Sequence, residues 1–104
     1  MKITTNQTDH KIIVKIEGDL LIGEVADAKP ALVAALSAGE EVHLDLGATG
    51  ECDTAGIQFL LMARASALAQ GKRFATIAQS ASFRAAIQRV GVPVACFDSQ
   101  EKIV

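Results

Sequence analysis

Three short apolar runs with β-branched residues alternate along this chain with longer segments of helical spacing. They are KIIVKIE at 11–17, EVHLDL at 41–46 and RFATIA at 73–78. Ile12, Val14 and Ile16 fall on one face of the first run, and Val42, Leu44 and Leu46 on one face of the second. That period of two belongs to strands with one face in a core. Strands separated by helices need parallel crossovers, so the order β-β-α-β-α-β-α-β predicts an α/β fold. The expected architecture is a single small domain over residues 1–104, with a mixed, mostly parallel sheet flanked by helices. The antiparallel part is a weak alternation at 1–5, joined to the first run by a polar turn at 6–10.

The first helical segment, 24–38, repeats Val25, Ala28, Leu32, Ala35 and Leu36 at helical spacing and ends at Gly39. Pro30 allows two forms: a loose turn followed by a helix starting at the proline, or one helix kinked there. Residues 47–51 read as a loop. The longest helical pattern is 55–70, stopped by Gly71, with Ile57, Leu60, Leu61 and Leu68 on the face expected to meet the sheet. A third helix is predicted at 81–90, with Ser80 as N-cap and Gly91 beyond its end. A short strand at 94–97 and a tail at 99–104 complete the expectation.

Composition narrows the function classes. The chain has 104 residues and four Phe but no Trp or Tyr, so the core is aliphatic. Net charge is −2 and the basic residues are scattered, which offers nucleic acid no landing site. Uncharged runs such as 54–63 are too short to cross a bilayer, and the polar start MKITTNQTDH lacks a signal-peptide core. A cytoplasmic protein that does not insert in membranes is expected. Cys52 and Cys96 form no CxxC pair, and neither His10 nor His43 is near them in sequence, so reduced thiols and no metal or cofactor are expected.

Chemistry and chain organisation meet at Cys52-Asp53-Thr54-Ala55-Gly56-Ile57, which follows a glycine-bounded loop and opens the longest helix. Asp and Thr are good N-caps, and the plain reading is a helix start. The same physics supports a switch: a hydroxyl at a helix N-terminus sits where backbone donors and the macrodipole favour added negative charge. Thr54 is therefore the candidate phosphorylation site. Ala55, Phe59 and Met62 continue from Thr54 on the face away from the sheet; they form a partner patch or are covered by another helix. Asp53-Thr54-Ala55 is not the Asp-Thr-Gly of an aspartic protease. No adjacent base is visible for a Thr54 nucleophile, with His43 a packed or rim residue of its strand. The 47–50 loop lacks the Lys-Ser/Thr ending of a P-loop. An enzyme is not expected.

From Ile13 to about Phe97 the chain resembles the STAS domain of sulphate transporters and anti-sigma-factor antagonists. Asp45-Leu46 resembles the family's strand end, and Asp53-Thr54-Ala55-Gly56 its Asp-Ser/Thr-x-Gly motif. Gln79-Ser80-Ala81-Ser82 with Ile87 and Gly91 resembles its next helix, and Gly18-Asp19-Leu20 its Gly-Glu-Leu turn. The resemblance implies a protein-binding module; joined to the helix face read above, the expected partner surface is Asp53, Thr54, Ala55, Gly56, Phe59 and Met62. In the antagonist branch the hydroxyl after the motif Asp, here Thr54, is phosphorylated by a partner kinase of the anti-sigma-factor type and restored by a phosphatase. The Thr form is also similar to a chemotaxis-associated branch and to the accessory subunit of a phospholipid-transporting ABC complex, whose partner is the transporter ATPase. Leu21 stands where regulatory members often carry Asp, and little sequence remains for the usual C-terminal helix.

Overall fold

The computed structural model describes residues 1–92 and Phe97. In chain order the elements are β1 (Lys2–Thr8), β2 (Lys11–Leu20), α1 (Ile22–Ala38), β3 (Glu41–Leu46), β4 (Thr49–Cys52), α2 (Thr54–Ala69), β5 (Arg73–Gln79) and α3 (Ala81–Arg89). β1 and β2 form an antiparallel hairpin, with Thr8 opposite Lys11 and Lys2 opposite Glu17. β2 pairs in parallel with β3, and β3 with β5, giving the order β1-β2-β3-β5. This is the small mixed, mostly parallel α/β fold that the alternation of runs predicts. The expected strand at 94–97 and the tail at 99–104 fall outside the described residues, Phe97 apart.

The period-two residues do what their spacing dictates. Ile12, Val14 and Ile16 of β2 and Val42, Leu44 and Leu46 of β3 are buried. They share one core with Ala28, Leu32, Ala35 and Leu36 of α1 and Ile57, Leu60 and Ala67 of α2. Phe83 of α3 meets Phe97 edge-on, with ring centroids 5.2 Å apart, a geometry that adds about 0.5–1.5 kcal/mol beyond area burial.

Three sequence expectations are corrected, and one left open is decided. First, 47–51 is not all loop: Thr49–Cys52 forms β4, parallel to the second half of β2 with Gly18 opposite Thr49 and Leu20 opposite Cys52. Thr49 anchors it, donating its buried hydroxyl to the Ile16 carbonyl at 2.8 Å. Second, α1 runs through Pro30, which lies inside the helix. Pro30 and Ala26, whose carbonyl loses its helical donor, are both exposed, so water can satisfy that oxygen. Third, β1 extends to Thr8, and the turn shrinks to Asp9-His10, with Asp9 at φ +42°.

Fourth, α2 is rolled relative to the predicted face. Gly56, Ile57, Leu60, Ala63 and Ala67 are buried, Leu61 is half-buried, and Leu68 is exposed. The small residues let the helix backbone approach the sheet, and that closeness fixes the roll. Arg64 lies half-buried at the edge of this face, where its stem can pack while its head reaches water.

α1 and α2 lie side by side and point the same way. At the far end of the pair the Lys72 ammonium donates to the Leu36 carbonyl. It brings a cation to a helix C-terminus whose own last turn has none. The near end is where the candidate site lies.

Candidate functional site

Asp53 leaves β4 with extended backbone and caps α2, its Oδ1 accepting the Gly56 amide at 2.9 Å. That much is the N-cap role its residue type suggests. Its second oxygen does something sequence reasoning missed: Oδ2 accepts the Ile22 amide, also at 2.9 Å. Ile22 is the first residue of α1, whose N-cap, Leu21, provides no side-chain bond. One carboxylate therefore holds the starts of both helices.

These bonds favour the ionised form, first the Gly56 amide and then the Ile22 amide, and hold the Asp53 carboxyl below its ordinary value. A depressed carboxyl pKa stabilises the fold above the unfolded-chain value. That contribution disappears as pH falls through the folded value. Asp53→Asn should therefore flatten the acid limb of a stability-versus-pH curve below pH ~4, as read by urea midpoints at successive pH values.

Thr54 is the first residue of α2 and is exposed. Ala55 is half-buried beside it. Gly56 is buried under the end of β2: a Cβ there would fall inside contact distance of the Leu20 carbonyl oxygen and 3.2 Å from the carbonyl carbon. So of the motif's four residues, Asp53 and Gly56 hold the backbone in place and Thr54 is presented to solvent.

The expected patch lies along the edge of α2 that faces α1. Met62 is 70% exposed, as expected of the face away from the sheet. Phe59 is half-buried, packs against the core and lines an apolar groove between α1 and α2. Met62 lines the same groove, so the roll of α2 turns both residues toward α1 without sealing either beneath it.

Neighbouring clips hold the surroundings. Asp19 Oδ1 accepts the Glu51 amide at 2.9 Å. Ser80 caps α3 through the Phe83 amide at 3.0 Å and donates its hydroxyl to the Thr49 carbonyl at 2.5 Å. Arg89 reaches back from α3 to the Cys52 carbonyl at 3.4 Å. Of these, Ser80 was legible as an N-cap; Asp19, expected in a Gly-Asp-Leu turn that ends the strand, lies instead within β2. Arg89 and Ile22 carried no local signal, because their partners are 37 and 31 positions away.

Cys52 is buried directly beneath the site. Burial first, then the Asp53 carboxylate, pushes its thiol up to about 11, with Asp19 and Glu51 adding to the effect. Such a thiol is protonated at neutral pH and a poor nucleophile. Native protein treated with iodoacetamide at pH 8 should show Cys52 unmodified in peptide maps, with labelling appearing only after denaturation. His43, the one histidine considered as a base, is buried on β3 with Nε2 3.4 Å from Glu41 Oε1. Among the described residues no group of three His, Cys, Asp or Glu stands together as a metal site, and no helix is long and apolar enough to cross a membrane.

Comparison with known proteins fits this arrangement. No curated protein matches the sequence. Among solved structures, the anti-sigma factor antagonist SpoIIAA in its unphosphorylated form is 15% identical. It superposes with a TM-score of 0.75 over 98% of this chain and 91% of that one. The Bacillus SpoIIAA in the phosphorylated form gives 16% and 0.70, covering 98% and 95%. An anti-sigma factor antagonist from Mycobacterium paratuberculosis gives 16% and 0.72, covering 97% and 88%. The protein in the crystal structure analysis of Mglu is also 16% identical, with a TM-score of 0.65. There 71% of this chain spans only 19% of the other. At these identities the likeness is one of fold. A family model described as "Mlab, STAS domain" matches residues 3–94, from the second residue of β1 past the end of α3. The chain belongs to the STAS domain family.

Proposed function

We propose that this STAS domain is a non-catalytic protein-binding switch in bacterial-type signalling, gated by phosphorylation of Thr54. The observation that carries the reading is the division of labour in the motif: Asp53 and Gly56 fix the backbone while Thr54 alone is free to be modified. A phosphoryl group brings about −1.5 to −2 charges at pH 7. At the first residue of a helix the fold tolerates it, since the macrodipole favours negative charge there. A partner docked over the site would have to bury that dianion, which costs several kcal/mol without a prepared basic pocket. That SpoIIAA has been solved in both phosphorylated and unphosphorylated forms supports the same use of this fold.

The partners in this reading are a kinase of the anti-sigma-factor type and a phosphatase. The test is mass spectrometry of the protein isolated from its own cells, with pull-downs by wild type and Thr54→Asp. Phosphate on Thr54 and a partner captured by wild type alone support the reading. An unmodified Thr54 in every condition, with equal capture by both forms, contradicts it.

One observation favours a second reading. Leu21, where regulatory relatives often carry Asp, gives α1 no N-cap side-chain bond of its own. In that reading the domain is an accessory subunit docked on the ATPase of a phospholipid-transporting ABC complex, and Thr54 is a contact residue only. Co-purification of a membrane-associated ATPase with kinase-insensitive binding would select it.

A further inference from the structure

α1 begins without a cap of its own. Leu21 makes no side-chain bond to the first turn, and the backbone bonds there run from the Glu24 and Val25 amides to the Leu21 carbonyl, at 2.9 and 3.1 Å. The Ile22 amide is satisfied from a distance of 31 positions, by Asp53 Oδ2. The same carboxylate caps α2 through Oδ1, and its neighbour in sequence is Thr54. Ile22 itself is the most exposed large apolar side chain of the described residues, at 74%.

We propose that Asp53 couples the two helices, so that a phosphoryl group on Thr54 loosens the first turn of α1 and displaces Ile22. The inference rests on the reading of Thr54 as a phosphorylation site. A dianion beside a carboxylate repels it, and Asp53 has both oxygens committed, one to each helix. Rotation of Asp53 away from the new charge lets go of the Ile22 amide, because the Gly56 amide is the acceptor's local partner and the Ile22 amide its remote one. The Leu21 side chain offers no substitute. The switch then acts at two places: as charge at Thr54, and as altered order and position of an exposed apolar residue on the neighbouring helix.

Amide hydrogen exchange on protein carrying phosphothreonine at 54 tests this without a kinase. Cys52 lies two residues before Thr54 and provides the junction for joining synthetic segments 1–51 and 52–104. The Ile22 amide should exchange at least tenfold faster in the phosphorylated protein than in the unmodified one. The direction discriminates, since added negative charge by itself slows base-catalysed exchange. In Asp53→Asn, which keeps one acceptor oxygen but not two, the Ile22 amide should already exchange fast, and phosphorylation should add less than threefold. Unchanged or slower exchange at Ile22 on phosphorylation overturns the proposal, as does an undiminished phosphorylation effect in Asp53→Asn. If phosphorylated protein loses its partner while the Ile22 amide stays protected, the coupling is wrong and the switch reading survives.

Discussion

Gly56→Ala should destabilise the domain by about 3 kcal/mol, although the same change inside an exposed helix would stabilise by up to ~1 kcal/mol. The sign is reversed by one contact. An alanine Cβ at this position lies inside contact distance of the Leu20 carbonyl oxygen, and Leu20 is itself fully buried at the end of β2. Neither atom is the flexible end of a side chain, so the first turn of α2 has to lift from the sheet. Lifting it also strains the Asp53 bond to the Gly56 amide. Urea unfolding followed by circular dichroism should show a lower midpoint with an unchanged slope. A variant as stable as wild type would mean that α2 does not sit this close to β2. Gly50→Ala is a useful comparison, because there the obstructing atom belongs to the exposed Asp19 side chain, which can swing aside at the cost of its bond to the Glu51 amide.

Thr54→Asp should separate stability from binding. Thr54 is exposed and its backbone is held by its neighbours, so unfolding should shift by no more than ±0.5 kcal/mol, the usual range for surface positions. Acidic residues in the first turn of a helix are favourable, and α2 has none of its own. Partner affinity, by contrast, should fall by on the order of 100-fold, about 2.7 kcal/mol, because the partner must bury an uncompensated charge. Thr54→Ser, which keeps the hydroxyl, should bind as wild type does. A Thr54→Asp variant that unfolds easily would show the site to be structural, and one that binds normally would remove the gate.

Much of this was legible in the sequence for a definable reason. Where one residue type at one spacing decides the outcome, local reading succeeds: Ile12-Val14-Ile16 and Val42-Leu44-Leu46 could only be half-buried strands. Ser80 was the evident cap of the helix it precedes, while Asp53 and Thr54 were both open as caps until the structure chose Asp53. Gly71, at φ +74°, could only end one. Local reading fails where the deciding partner is remote. β4 is a strand because β2 offers its free second half, and TGEC alone carries too little β-branched content to announce it. The roll of α2 depends on the Leu20 carbonyl meeting Gly56. A hydrophobic wheel, which weighs Leu68 above Ala63, points to the wrong edge of the helix. Asp53 shows both cases in one side chain: its bond to Gly56 follows from three residues of sequence, and its bond to Ile22 from the whole fold.

The account stands on Thr54 acting as a gate for a protein partner while leaving the fold intact. Calorimetric titration of the partner captured by wild type, against protein carrying threonine or phosphothreonine at 54, measures that directly. The prediction is tight binding to the unmodified form, a loss of about 100-fold or more on phosphorylation, and circular dichroism and unfolding midpoints that superpose. Equal heats and affinities for the two forms, or a phosphorylated form that no longer folds, would contradict it.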